Sequence, residues 1–452
     1  MTGSAVFWAG DEDFATRGSL RGTQRCDVAI VGAGLTGLST ALELLELAPQ
    51  RRVVVIEADH VAAGASGRGT GLLGTRIGPP LRVARRRFGD EVARAAYLWS
   101  VGAVGHVLDI VDRYGISCDL VPGSQLIAAD DEKGAQAQRH EADAARALGL
   151  VISYVDRGSL PALAAAAGYV SGLRYAPAAT LDPAALTREL ARIGERRGLT
   201  IFERSPVRGI KRGSPAVVIT DRGQIAADRV VVAINAFGAI SGAPSGVLGL
   251  KVQAGVTEKL PPEVLAAVEA LGAEPLIGHR EASPYFRLTA DGRIVVGGGA
   301  VRRGTHGSVA PAPATLRAAV RRLSPALAEV EMESTWSGPI GLTRDGLPVV
   351  GQHPDDPRLY YAGGCNGHGL AVSVHNGALL ARWLAFGQPK QPSPALPWIR
   401  PKAPWLPRGR LVDSLLDRYL AHITAASGRS GPSEPPDRIA VPQSRTTDGG
   451  RP

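Results

Sequence analysis

The stretch Asp27-Val28-Ala29-Ile30-Val31-Gly32-Ala33-Gly34-Leu35-Thr36-Gly37 decides the fold. Its first five residues form a short apolar run with β-branched side chains, the composition of a strand buried in a parallel sheet. Three glycines follow in Gly-x-Gly-x-x-Gly spacing. Leu38 to Leu47 then repeats apolar residues at helical spacing and stops at Pro49. A second strand, Val53 to Ile56, ends at Glu57. This is a complete βαβ unit, and each glycine in it has a physical reason. Gly32 makes the tight strand-to-helix turn, Gly34 lets a pyrophosphate approach the backbone, and Gly37 lets helix and strand pack closely. The anion then sits on the free N–H groups of the helix start. Glu57 can accept both hydroxyls of a ribose, an arrangement that a 2′-phosphate would disturb. The reading predicts a dinucleotide with an unphosphorylated ribose, FAD or NAD.

What lies outward of this unit separates the two. A second glycine-rich loop follows at once, Gly64-Ala65-Ser66-Gly67-Arg68-Gly69-Thr70-Gly71, and a third, Gly363-Gly364-Cys365-Asn366-Gly367-His368-Gly369-Leu370, precedes a C-terminal helix. A glycine-rich helix start can aim N–H groups at the N1–C2=O edge of a flavin, which becomes anionic on reduction. FAD is therefore the expected cofactor. Helices are predicted from Asp90 to Tyr114, around 131–148, and from Leu181-Asp182-Pro183 to about Arg197, where a capping residue precedes proline at the first helical position. Strands are predicted at 216–220, 228–234, 250–257, 284–289 and 293–297, with a closing helix through Trp383.

The predicted class is α/β: a doubly wound, Rossmann-like FAD-binding domain of the glutathione-reductase type with a smaller α+β antiparallel-sheet substrate domain. Residues 1–25 form an N-terminal arm, pinned to the body by Phe7 and Trp8. Residues 26–117, 175–240 and 328–390 make a discontinuous FAD-binding domain, and 118–174 with 241–327 the substrate domain. A C-terminal extension covers 391–424, and the polar, Pro/Gly/Ser-rich stretch 425–452 is expected to be a disordered tail.

A length of 452 residues suits two domains sharing an interface. Hydrophobic residues at 44% and charged residues at 21% are ordinary for a globular protein and exclude collagenous, coiled-coil or wholly disordered chains. No apolar run reaches the roughly 20 residues of a membrane helix. The first residues, with Asp11, Glu12 and Asp13, carry no signal-peptide stretch, so the expectation is a cytoplasmic protein with no membrane partner. Cys26, Cys118 and Cys365 are odd in number and scattered, with neither a disulfide framework nor metal spacing, and no metal is expected. The formal charge of +9 comes from 51 cations of which only six are lysine. They are spread out, and a short cluster such as Arg85-Arg86-Arg87 reads as a solvated helix face, which argues against a nucleic-acid partner.

At these motifs the chain resembles the FAD-dependent family of D-amino-acid, glycine and sarcosine oxidases, in flavour the gamma-glutamylputrescine oxidase-like branch. The matching elements are Asp27 to Gly34, Gly64 to Arg68, Leu181-Asp182-Pro183, Ser205-Pro206-Val207, Val231-Val232-Ala233-Ile234-Asn235-Ala236, Asp345 to Gly351 and Gly367-His368-Gly369. The resemblance implies that Gly32, Gly34, Leu35, Thr36, Gly37, Glu57 and Ala58 hold the ADP half of FAD. Ser66, Gly67 and Arg68 would lie along the pyrophosphate and ribityl chain, and Gly69, Thr70 and Gly71 would border the isoalloxazine. Val207 would pair its backbone with the adenine. Asn235, Gly338, Gly364, Asn366, Gly367, His368, Gly369 and Leu370 complete the cofactor set. His368 either spaces its loop or handles a proton. Tyr285, Arg287 and Trp336 fall where the family's substrate sheet faces the flavin, and Arg76 is a further candidate clamp for an anion, since a guanidinium suits a carboxylate.

Departures from the family pattern matter equally. Gly338 stands where some relatives tether the flavin through cysteine, and no histidine lies near Gly69, so the implied FAD is non-covalent. A substrate-clamping lysine of sarcosine-type relatives is replaced by Ala371. A second lysine, linked to oxygen, falls near Val295, and Arg293 shares its strand face. The implied reaction is hydride transfer from the carbon next to a neutral amine of a small-molecule amine or amino acid to flavin N5. The imine then hydrolyses, and O₂, giving hydrogen peroxide, or another acceptor takes the electrons. Alternatives left open are an NAD(P)H-dependent flavoenzyme, a tRNA-modifying flavoenzyme, an FAD dehydrogenase and a flavoprotein without turnover. The oligomeric state is not specified.

Overall fold

Alternation along the first strand shows how the sequence builds the molecule. Val28 and Ile30 point into one apolar cluster, while Ala29 and Val31 point into another on the opposite face, which is why no polar residue interrupts the run. The computed structural model describes residues 6–9, 17–237, 240, 246–272, 274–280, 282–304, 312–388, 393–405 and 409–429.

One sheet is built on parallel strands. Its order is β16 (Val349–His353), β17 (Asp356–Gly363), β10 (Gly223–Val232), β1 (Gly22–Val31), β2 (Val53–Ile56) and β7 (Thr200–Phe202). β10, β1, β2, β7 and β17 run parallel, and β16 turns back antiparallel on β17. The hairpin of β8 (Val207–Lys211) and β9 (Ala216–Thr220) shares the β10 edge. The chain leaves β1 towards β2 on one side and has β10 on the other, so the strand order reverses beside Gly32, the position at which open α/β sheets bind ligands.

The second sheet runs β15 (Met332–Leu342), β11 (Leu248–Thr257), β14 (Ile294–Arg303), β13 (Tyr285–Leu288), β12 (Leu276–Gly278), β4 (Val121–Ala129), β6 (Ser171–Thr180) and β3 (Leu72–Leu73), with β5 (Ser153–Val155) on β6. Its pairings are antiparallel except β12 with β4. A boundary at 174/175 cuts β6, and one at 327/328 leaves β15 on the FAD side although all its pairing is with β11. β10 begins at Gly223, earlier than the 228 read from the sequence.

The helices are α1 (Leu35–Leu47), α2 (Leu81–Phe88), α3 (Asp90–Tyr114), α4 (Glu132–Ala147), α5 (Ala162–Ala166), α6 (Pro183–Arg196), α7 (Pro262–Ala270), α8 (Pro313–Arg321), α9 (Gly369–Phe386) and α10 (Arg410–Arg429). Asp182 caps α6, accepting from the N–H groups of Ala184 and Ala185. Leu38, Leu42 and Leu45 of α1 are buried with Leu186 and Leu190 of α6 and Val374 of α9, and each such leucine contributes about 1.5–3 kcal/mol. α10 corrects one expectation. Residues 425–429, assigned to a disordered tail, continue a helix whose Leu420 is buried and whose Asp413 and Asp417 pair with Arg303. The rest of that tail, 430–452, lies outside the described residues, as does most of 1–16.

Candidate active site

The turn after β1 is tied to its own neighbourhood. Gly32 donates to the Ile56 carbonyl at 2.8 Å and adopts φ +107, and a Cβ there would stand 2.7 Å from the Ala233 carbonyl oxygen. A Cβ on Gly37 would collide with the Gly32 carbonyl. One on Gly34 would stand 2.8 Å from Ser66 Oγ. α1 starts at Gly34 without a side-chain cap; Ser66 Oγ accepts from the Leu35 N–H at 3.0 Å. Glu57 accepts from the Ala33 N–H at 2.8 Å and from the Asp59 N–H at 3.0 Å. Burial raises the Glu57 pKa, and those N–H groups oppose the shift. Ser205 donates to the Glu57 carbonyl, which brings Val207, at the start of β8, to this end of the sheet. Ala58 is exposed beside it.

α9 opens in the same way. His368 precedes it without a side-chain cap. Two asparagines, both in the left-handed region, set the loop ahead of it. Asn235 Oδ1 accepts from the Gly364 N–H at 2.9 Å, and Asn366 Oδ1 accepts from the Thr343 N–H at 2.8 Å while its amide donates to the Gly364 carbonyl. α9 crosses α1 closely: Ser39 donates to the Val374 carbonyl at 2.8 Å, and a Cβ on Gly377 would stand 2.7 Å from Ser39 Cβ. The two bare helix starts, each favouring negative charge, are thereby carried on one packed pair.

The loop 64–71 lies between the sheets. A Cβ on Gly67 would strike the Ala62 carbonyl, and one on Gly71 the Leu181 carbonyl. Arg68 donates from Nε to the Ala63 carbonyl at 2.9 Å and from Nη1 to the Ser337 carbonyl at 3.3 Å. Gly338 faces Arg68, its built Cβ 3.1 Å from Arg68 Cβ.

Helix starts without an N-cap side chain, a glycine turn too tight for any Cβ and a carboxylate at the second strand end suit an extended dinucleotide. The match to known families agrees: residues 27–383 fit the model described as "FAD dependent oxidoreductase". The chain belongs to that family. It is an FAD-dependent oxidoreductase. Its relatives include the gamma-glutamylputrescine oxidoreductase of Escherichia coli, 29% identical over 92% of this chain and 98% of that one. The glycine oxidase of Geobacillus kaustophilus is 28% identical over 79% of this chain and 93% of its own. The crystal structure of glycine oxidase from that organism matches with TM-score 0.70 over 83% of this chain and 98% of that one, and that of L-proline dehydrogenase from P. horikoshii with 0.68 over 83% and 96%. At 22% and 19% identity these two show the shared fold.

The candidates on the substrate side are brought together unevenly. Tyr285 and Arg287 share a face of β13 and both meet Thr70, the tyrosine through the threonine side chain. Arg287 is buried, and its guanidinium donates to the carbonyls of Thr70 (2.5 Å), Leu181 (2.9 Å) and Leu288 (3.4 Å), with burial lowering its pKa to about 10. Trp336 is buried and donates to the Arg68 carbonyl at 2.9 Å. Main-chain atoms thus occupy the polar groups of Arg287 and Trp336. Arg293 is likewise engaged by Asp291, Glu333 and the Thr257 carbonyl, and Val295 is buried.

Arg76 differs. Its Nε is buried without a hydrogen-bond partner, and among the described residues no carboxylate pairs with it. Its charge bears on Tyr175 and on His368. Burial, reinforced by that charge, pushes the His368 pKa down to about 3, so its imidazole is neutral at physiological pH. Tyr175 gave no signal in the sequence, being one aromatic among the β6 apolar residues. Elsewhere, Asp130, Asp131 and His279 bring ligand atoms within 4.8 Å of one another, but Arg280 already bridges both carboxylates. Among the described residues no helix is long and apolar enough to cross a membrane.

Proposed function

We propose that the protein oxidises an amine bearing a carboxylate, a primary or secondary amino acid, to an imine that hydrolyses to a carbonyl compound and ammonia or a smaller amine, with O₂ reduced to hydrogen peroxide. The observation that carries this reading is the unpaired Arg76 guanidinium beside a neutral His368. A half-buried cation without a counter-ion is unfavourable until an anion meets it, and a carboxylate matches its planar fork. The relatives named for glycine and gamma-glutamylputrescine support the substrate class.

Bound FAD supplies a two-electron acceptor at its ring. Gly32 to Gly37 and the start of α1 would take the pyrophosphate, with Ser66, Gly67 and Arg68 alongside, Glu57 and Ala58 the ribose, and the Val207 backbone the adenine. Gly69 to Gly71 and Asn366 to Leu370 would border the ring, with Asn235, Gly338 and Gly364 shaping their backbone. Arg76 orients the substrate through its carboxylate. His368, held neutral, accepts a hydrogen bond there and adds no charge. An apolar surround lowers the amine pKa and so favours the uncharged form that reacts.

An anaerobic screen of the purified holoprotein against amines and amino acids, followed by flavin bleaching, tests the reading. Bleaching by an amino acid, reversed by air with peroxide formed, is the expected result. Bleaching that air cannot reverse would replace O₂ by another acceptor. Indifference to every amine with rapid bleaching by NADH or NADPH would overturn the proposal. Arg76→Met is expected to raise KM for the carboxylate substrate about 10- to 100-fold, the range of a charged hydrogen bond. It should leave the decarboxylated amine unaffected, and an equal loss on both would remove Arg76 from the substrate site.

A further inference from the structure

Four consecutive carbonyls, from Arg68 to Gly71, each accept a hydrogen bond from a different part of the chain. The Arg68 carbonyl takes the Trp336 indole N–H at 2.9 Å, and that of Gly69 takes the Trp8 indole N–H at 2.8 Å. The Thr70 carbonyl takes Arg287 Nε at 2.5 Å, and that of Gly71 takes the Leu181 N–H at 3.0 Å. The donors also hold one another. Trp8 and Trp336 meet edge to face at 6.3 Å, the Arg287 guanidinium lies 5.1 Å from the Trp8 ring centroid, and Arg188 donates to the Trp8 carbonyl. Trp8 is itself buried.

In a trans peptide the N–H points opposite to the C=O of the same unit. Turning the carbonyls of residues 68–70 towards the donors therefore turns the N–H groups of Gly69, Thr70 and Gly71 the other way. Among the described residues none accepts from those three N–H groups, although Gly71 is buried. N–H groups without a protein acceptor can serve an acceptor on a bound ligand, with the backbone that carries them fixed beforehand from its carbonyl side.

We propose that Trp8, from the N-terminal arm, is a positioning residue of the FAD site. Together with Trp336 and Arg287 it holds the loop 68–71 in the one orientation that presents its N–H groups to the flavin. The arm is thus part of the cofactor site although it precedes the dinucleotide fold. This rests on FAD occupying the cradle between the two bare helix starts.

The test is FAD affinity, measured by adding FAD to apoprotein and following flavin fluorescence, for wild type, Trp8→Phe and Trp8→Ala. Trp8→Phe keeps an aromatic ring facing Trp336 and Arg287 and removes the N–H together with a smaller part of the ring surface. It is expected to weaken FAD binding about 5- to 10-fold, the size of one hydrogen bond. Trp8→Ala also removes the ring that packs on Arg287 and is expected to weaken binding about 100-fold or more. A tryptophan that served only general packing would lower the melting temperature of the apoprotein while leaving the FAD dissociation constant unchanged, and that result would overturn the proposal. Should Trp8→Ala fail to fold, wild type still decides. Its Trp8 indole N–H signal, assigned by loss in Trp8→Phe, should exchange with solvent about 5- to 10-fold more slowly when FAD is bound, because coupling between two sites is reciprocal. Equal exchange in apo and holo protein would refute the role of the arm. Wild type that takes up no FAD would instead remove the cofactor cradle on which the inference rests.

Discussion

The glycine turn at 32–37 and the loop at 68–71 are held by opposite means. The turn is held by what lies near it in sequence: Gly32 donates to Ile56, Ala33 to Glu57, and Gly37 lies over the Gly32 carbonyl. The loop is held by residues 61, 217 and 268 positions away. The hydrogen bonds of the turn therefore close within one βαβ unit, whereas those of the loop come from the arm, β13 and β15. Local geometry of the first kind is built by glycines that cannot be replaced, and geometry of the second kind by donors that can be removed one at a time.

The largest expected effect breaks the turn. Gly37→Ala puts a methyl group against the Gly32 carbonyl with backbone on both sides, an overpacking worth about 3 kcal/mol or more. The purified protein should carry almost no FAD, read from the ratio of flavin to protein absorbance, and a normal ratio would show that the turn yields as easily as the loop. A middle-sized effect sharpens the contrast at the third glycine loop. Asn366→Ala loses the bonds to Thr343 and Gly364 and must adopt φ +52. Thermal unfolding of the holoprotein should show about 2–3 kcal/mol lost. Asn366→Gly should recover the backbone share of that loss, and no recovery would assign the whole effect to the side chain.

The smallest effect concerns α9 itself. Burial, His106 and Arg382 lower the His375 pKa from 6.5 to about 4, with Glu43 opposing them. Its folded value lies below the unfolded one, so the unfolded chain binds more protons between the two. Stability is complete above about pH 6.5 and falls as the pH drops towards 4. His368 adds to the same acid loss. Replacing His375 with glutamine should flatten the decline in melting temperature between pH 7 and 5, and an unchanged slope would place the acid sensitivity elsewhere.

These same contrasts explain what could be read in advance. The βαβ unit, α3, and the Asp182-Pro183 start of α6 each declare themselves within a few residues, through periodicity, capping chemistry or glycine spacing. Trp8 could be read as a pin for the arm, but not its acceptor, because an indole N–H carries no address. The spacing of Tyr285 and Arg287 puts them on one strand face, and β13 carries them so. That the Arg287 guanidinium would be taken up by carbonyls of Thr70 and Leu181 depends on the meeting of β13 with two distant loops. α10 does not declare itself in the sequence, because its partner, Arg303, lies more than a hundred residues before it and its own composition is polar.

The crossing of α1 and α9 at Ser39 and Gly377 turns their two starts into the jaws of a single caliper. The gap between the jaws is set by two stretches of helix measured from a shared pivot, and not by the distance between the sheets. Any swing of the second sheet away from the first leaves that gauge unchanged. The loop 68–71 is instead tied to that second sheet, through Arg287 of β13 and Trp336 of β15, so the two sheets fix different parts of the site by different means.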